Sequence, residues 1–201
     1  MPVITKSKAG LAGGVSAAAA AIITSVLTVE SGYVNDPKDP GGETNHGITI
    51  GVARDYGYMG PMKELTQETA VNIYVTNYIN KPGYGEIITL SPAVGQKVVD
   101  AGVNAGTARS SRWFQQSLNS LNRGGKDYPN ISVDGKIGPG SISAYSNLQR
   151  VRGKVKACEL VIKLMDAQQA SHYMSLTNLP QYTVGWVDHR IGNVPLEKCK
   201  E

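Results

Sequence analysis

The sequence is poor in cysteine: two among 201 residues, Cys158 and Cys199. Neither has a neighbour at metal-ligand spacing, so no metal site and no cofactor is expected. Cys158 falls on an apolar stripe with Val155, Ile162 and Met165, which predicts a buried thiol. A Cys158–Cys199 disulfide is the alternative for a chain that reaches an oxidising compartment. Aromatic residues make up 6% and are not interleaved with basic ones, which argues against a single-stranded nucleic-acid binder. There are no internal repeats, and no low-complexity stretch apart from one alanine run. Charge is missing entirely from Ala9 to Val29, 21 residues in a row.

What is present is a modest positive excess. The net charge is +4, which favours anionic partners such as nucleic acid, anionic lipid or an acidic wall polymer. The densest basic run, Arg150, Arg152, Lys154 and Lys156, leads into a helix and reads as a solvated face. A chain of this length buries one core, or a core plus a small subdomain.

The uncharged segment is long enough to matter. Twenty-one helical residues span about 31 Å, close to the ~30 Å hydrocarbon thickness of a bilayer. Lys6 and Lys8 precede it, so its N-terminus would stay cytoplasmic and the rest of the chain would face the periplasm. Yet it is feebly apolar, with seven Ala, three Gly, two Ser and two Thr against seven large aliphatics. Such a helix inserts marginally and leaves at modest cost. A cleavable signal peptide fits poorly, because the small residues come first and the strongest apolar part last. The other reading is the buried first helix of a soluble domain. The two readings are compatible at different times.

Downstream, helices are predicted over 66–80, 92–105, 108–121, 141–149 and 154–176. Thr66 and Ser141 are the expected N-caps, and Gly83, Gly106 and Gly124 lie beyond C-terminal ends. Residues 30–49 are rich in Gly, Pro, Asn and Asp and predict turns with a small hairpin. Loop is expected over 130–140, and an irregular tail carrying Trp186 from Pro180.

Glu30 follows the apolar segment directly. A carboxyl at the lip of an apolar helix is partly desolvated, which raises its pKa and suits a general acid. Asp39 sits between turn residues, where it stays ionised, and Thr44 offers a hydroxyl that can hold a water. Two carboxylates in unlike surroundings are the working set of a glycosidase. The residues alone make this a weak signal, since an acid beside a turn is usually a turn acid; Asp36 is one.

Glu30-Ser31-Gly32-Tyr33, then Asn35-Asp36-Pro37-x-Asp39-x-Gly41-Gly42-x-Thr44-x-x-Gly47-Ile48-Thr49, closely resembles the opening motif of phage endolysins of glycosyl hydrolase family 108. Those are lysozyme-like muramidases with a Glu, Asp and Thr at this spacing. Ser31 departs from the family's usual Gly. Phe114-Gln115-Gln116-x-Leu118-Asn119, with Val133-Asp134-Gly135-Lys136-Ile137-Gly138-Pro139-x-Ser141 and the Trp186 to Ile191 tail, resembles the peptidoglycan-binding region that accompanies that motif.

The resemblance implies a mainly α, lysozyme-like fold with a small loop or hairpin lobe flanking the cleft. It implies a first helix or signal-anchor over 1–29, a catalytic region over 30–106, and a peptidoglycan-binding region over 107–201 packed on the same core. Glu30, Asp39 and Thr44 would be catalytic, with Tyr33, His46 and Asn104 on the substrate. Asp100 and Asn104 share a helix face and could also be structural. The partners implied are peptidoglycan and, through residues 9–29, the host inner membrane; no nucleic acid is expected, and the chain is expected to be monomeric. The reaction implied is hydrolysis of the β-1,4 bond between N-acetylmuramic acid and N-acetylglucosamine. A lytic transglycosylase and a non-catalytic, membrane-tethered wall binder remain as rivals. The apolar segment resembles the signal-arrest-release segments of some phage endolysins, which implies an enzyme held in the inner membrane and later freed into the periplasm.

Overall fold

The computed structural model describes residues 17–27, 32–35 and 42–201. It is mainly α, with a small β hairpin. Helix α1 (Ala17–Leu27) comes first, then strands β1 (Thr44–Asn45) and β2 (Ile48–Thr49) and helix α2 (Ile50–Tyr56). Helix α3 (Gln67–Val75) runs on through a π turn, Thr76–Asn80. Helices α4 (Gly85–Leu90), α5 (Pro92–Ala105), α6 (Thr107–Leu121), α7 (Pro139–Arg152), α8 (Lys154–Ser175) and α9 (Pro180–Arg190) follow.

Local chemistry explains most of these boundaries. Thr66 caps α3 by accepting from the Thr69 amide at 3.2 Å. Ser91 caps α5 in the same way through Val94, Pro92 sits at its first turn, and Gly106 ends it with φ 90°. Tyr74 and Tyr78, one turn apart, stack with centroids 5.3 Å apart.

Helix α5 lies at the centre and packs against α1, α4, α6 and α8, while α6 and α7 also pack on α8. A single contiguous core takes residues from α1 through α8 and from the hairpin lobe. Ala19, Ile22 and Ile23 of α1 are buried in it, Ile23 completely. The apolar face that could meet a bilayer is therefore the face this fold buries. Among the described residues no helix is long and apolar enough to cross a membrane.

Three expectations are corrected. The tail from Pro180 is not irregular: α9 occupies Pro180–Arg190. Proline at a helix's first turn loses nothing, since its missing N–H would be unsatisfied there anyway. Gly185 lies on the exposed side of α9 and is tolerated. Ser141 is not an N-cap, because α7 already begins at Pro139 behind Gly138. Its hydroxyl instead accepts from Gln115 Nε2 at 3.2 Å. Cys158 is buried as expected but is not a thiol: it is bonded to Cys199, which fastens the 3-10 turn Leu196–Lys200 onto α8.

Gln115, on α6, organises the loop before α7. Its amide donates to Asp134 Oδ1 and to the Lys136 carbonyl, both at 2.9 Å, and its oxygen accepts from the Gly135 amide at 2.9 Å. Gly135 has φ 80°, and a Cβ there would come within 2.9 Å of the Ala108 carbonyl oxygen, so both conformation and space require glycine. The Asp-Gly-x-x-Gly-x-x-Ser pattern is thus an internal clasp. The Gln115 bond and the Lys136 amide hold the Asp134 carboxyl below the usual range.

Candidate active site

The hairpin lobe is built from a very short sheet. Thr44 pairs with Thr49 and Asn45 with Ile48, antiparallel. The two residues between them, His46 and Gly47, have φ 51° and φ 70°. Positive φ at both central positions is the type I′ pattern that matches strand twist. On the other side of β1, Val34 and Thr44 exchange both backbone hydrogen bonds at 2.8 Å. Thr44 is therefore held from both flanks.

Side-chain alternation divides the hairpin into two faces. Asn45 and Ile48 are buried, and Asn45 Nδ2 donates to the Met62 carbonyl at 2.7 Å, tying the hairpin to the lobe's core. Thr44 and Thr49 take the opposite face. Thr49 caps α2 through Val52. Thr44 is half-buried, and among the described residues its hydroxyl makes one long contact, 3.5 Å to the Gly42 carbonyl. A contact of that length is weak and readily exchanged for a better one.

Tyr33 precedes Val34, the partner of Thr44, so by the same alternation its side chain falls on the Asn45 side of the hairpin. Its ring carries the Lys63 ammonium 5.1 Å from the centroid. Partial desolvation, then the charge and hydrogen bond of Glu43, raise its phenol above the usual value. The Lys63–Tyr33–Glu43 arrangement sets a cation and a carboxylate on one aromatic ring. His46 is half-buried in the turn. Three of the expected residues, Tyr33, Thr44 and His46, thus share one small lobe. Glu30 and Asp39 lie outside the described residues. In sequence Asp39 is the midpoint between Val34 and Thr44, whose backbones are bonded to each other.

Asn104 belongs to another cluster. Its side-chain oxygen accepts from the Tyr173 hydroxyl on α8, which in turn accepts from Gln169 Nε2. Asp100, one turn earlier on α5, pairs with Arg190 at 2.7 Å. Lys97 is fully buried; it pairs with Asp166 and donates to the Arg190 carbonyl at 2.9 Å. Buried charges are tolerable only when paired in this way. The Asp100–Arg190 and Lys97–Asp166 pairs join α5, α8 and α9, so Asp100 has a structural partner.

Sequence reasoning did not find partners for His172. It accepts from Arg109 Nη1 at 3.0 Å and lies 5.8 Å from the Trp113 ring. Burial, then the Arg109 charge, hold its imidazole below the usual value. A series of rings continues from there to Tyr173, Trp186 and Tyr182. Spacing of 182 and 186 would have revealed its outer end, had α9 been recognised as a helix. Among the described residues no group of three or more His, Cys, Asp or Glu could hold a metal ion.

Residues 23–106 match the family model described as Glycosyl hydrolase 108. Residues 109–191 match the one described as Predicted Peptidoglycan domain. Among solved structures the chain is similar to Brucella abortus SagA, with 25% identity, a TM-score of 0.65, and coverage of 90% of this chain and 93% of that one. No curated protein matches.

Proposed function

The chain is a glycoside hydrolase of family 108 that carries a peptidoglycan domain and degrades peptidoglycan, and from that premise we propose an endolysin that hydrolyses the β-1,4 bond between N-acetylmuramic acid and N-acetylglucosamine. Glu30 is the general acid and gives its proton to the departing glycosidic oxygen. Asp39, ionised, either stabilises the oxocarbenium-like transition state or takes the proton of the attacking water. Thr44 orients that water or the sugar.

The observation that supports this reading best is Thr44 itself. It is clamped by Val34 on one side and Thr49 on the other, and among the described residues its hydroxyl has one contact, at 3.5 Å. A rigid backbone with a loosely engaged hydroxyl suits a group that positions water or sugar. Mass spectrometry of soluble products from purified peptidoglycan is the test. Products with reducing-end muramic acid, lost in Glu30→Gln without unfolding, are expected. A 1,6-anhydro product would make the chain a lytic transglycosylase and leave Asp39 and Thr44 without these roles. Wall binding with no product would make it a binding protein.

We propose that residues 9–29 first hold the chain in the host inner membrane, facing the periplasm. With Val29 in the bilayer, Glu30 stays at the membrane surface and cannot meet Asp39 and Thr44. On release, Ala19, Ile22 and Ile23 exchange lipid for the protein core. The Cys158–Cys199 disulfide is compatible with a periplasmic destination. Replacing Gly13, Gly14 and Ser16 by leucine should delay lysis by trapping the helix; lysis on the wild-type schedule would refute release.

A further inference from the structure

Helix α9 carries Tyr182, Trp186 and Arg190 at i, i+4 and i+8, one stripe on one face. The inner end is fixed, since Arg190 is buried against Asp100 and its carbonyl accepts from Lys97. Trp186 lies between two rings at shallow angles: Tyr173 at 5.4 Å and 30°, Tyr182 at 5.6 Å and 27°. Tyr182 covers one ring face with Trp186 and remains 53% exposed. Four of the eight large hydrophobics exposed among the described residues, Met174, Tyr182, Val184 and Val187, fall between 174 and 187, with Val184 and Val187 well round α9 from the Tyr182 stripe. Asp188 and His189, both exposed, supply a polar rim.

We propose that the exposed face of Tyr182, backed by Trp186, forms a stacking platform for the amino-sugar backbone of the wall glycan. The proposal rests on the reading of the chain as a peptidoglycan hydrolase and specifies where its second half holds the polymer. A pyranose offers a face of C–H bonds and a rim of hydroxyl and acetamido groups. Flat aromatic rings bordered by polar groups match both parts. The stack is already assembled and its helix is anchored by the buried Arg190–Asp100 ion pair and the Lys97 bond to the Arg190 carbonyl, so little ordering is required on binding. Glycan is favoured over a protein partner because the stripe lies within residues 109–191, which match a peptidoglycan domain.

The test is co-sedimentation of the full chain with purified insoluble peptidoglycan, with digestion followed in parallel. Tyr182→Ala removes an exposed ring, so the fold and melting temperature should be kept. Its affinity for the wall should fall about two- to tenfold, as one aromatic stacking contact supplies, with Tyr182→Phe close to wild type. The loss should show as a raised KM on intact wall with kcat retained. If wild type digests the wall and Tyr182→Ala binds and digests equally well, the platform is wrong and the hydrolase reading survives. Should Tyr182→Ala lose affinity for anionic lipid vesicles and not for wall, the patch meets a membrane and the proposal also fails. A wild-type chain that neither binds nor cleaves the wall would remove both.

Discussion

Removing the Cys158–Cys199 bond has a consequence that can be worked out before it is measured. The two cysteines are 41 residues apart in sequence. In the chain-entropy picture, closing a loop of that size lowers the entropy of the unfolded chain by about 13 cal/mol/K, or about 4 kcal/mol at 25 °C. For a protein of this size each kcal/mol corresponds to ~2–4 °C, so Cys158→Ala with Cys199→Ala should melt roughly 8–16 °C lower. That is a large share of the ~5–15 kcal/mol total typical of a folded protein. Alanine is the right replacement at 158, where the side chain is only 1% exposed and a serine hydroxyl would be buried. The loss should be partly local. The tail keeps Val194 in the core, Asn193 on Lys97, and a 2.9 Å bond from Lys198 Nζ to Gln96. Differential scanning calorimetry of wild type, reduced wild type and the double variant is the assay, with limited proteolysis to locate the loosened segment. Reduced wild type and the variant should coincide, with new cleavage confined to 195–201. A shift under 2 °C, or a reduced wild type unlike the variant, would refute the clamp. The same measurement bears on location, because a chain held in a reducing compartment would lack this stabilisation.

Thr44→Val keeps the β-branched shape in the centre of the strip and deletes the hydroxyl; kcat on purified wall should drop on the order of 10²-fold with an unchanged melting temperature, and full activity would remove Thr44 from the mechanism. Gln115→Ala breaks the clasp to Asp134, Gly135, Lys136 and Ser141. Only Ser141 among these partners is buried and the others can turn to water, so the loss should be about 2 kcal/mol in urea unfolding, and a loss under about 0.5 kcal/mol would mean the loop holds by other contacts. Asp127 accepts from Arg123 and Arg152, and the Arg123 hydrogen bond first of all holds its carboxyl below the ordinary 3.8. A lowered folded-state pKa stabilises fully above the unfolded value and is lost as pH falls through the folded one. Stability should therefore decline below about pH 4, and Asp127→Asn should flatten that acid limb; an unchanged limb would show the pair to be idle.

How much could be read in advance differs from one element to the next. Helix α5 has the predicted bounds, 92–105, because Ser91, Pro92 and Gly106 act within a turn of where they stand. Hairpin formation was visible for the same reason: His46-Gly47 can take two positive φ values between short extended pieces. Spacing of Glu30, Asp39 and Thr44 was legible as a motif, and residues 23–106 do match the expected family model. Helix α9 was missed because Pro180 and Gly185 look like breakers when only neighbours in sequence are weighed. Its existence depends on Trp186 finding Tyr173 and Arg190 finding Asp100, partners 13 and 90 residues away.

The sequence by itself determined the helical class, the ends of α5 and within a residue those of α6 and α8, the apolar first segment and the motif that points to the family. These depend on periodicity, caps and turn residues, whose energies act over a few residues. Tertiary structure alone decided that α1 turns Ala19, Ile22 and Ile23 into the core, that Cys158 finds Cys199, that Ser141 serves Gln115 and not a helix end, and that Asp100 answers Arg190. Each of those depends on which distant groups the packed helices bring within a few ångströms, and burial then makes leaving them unpaired too costly.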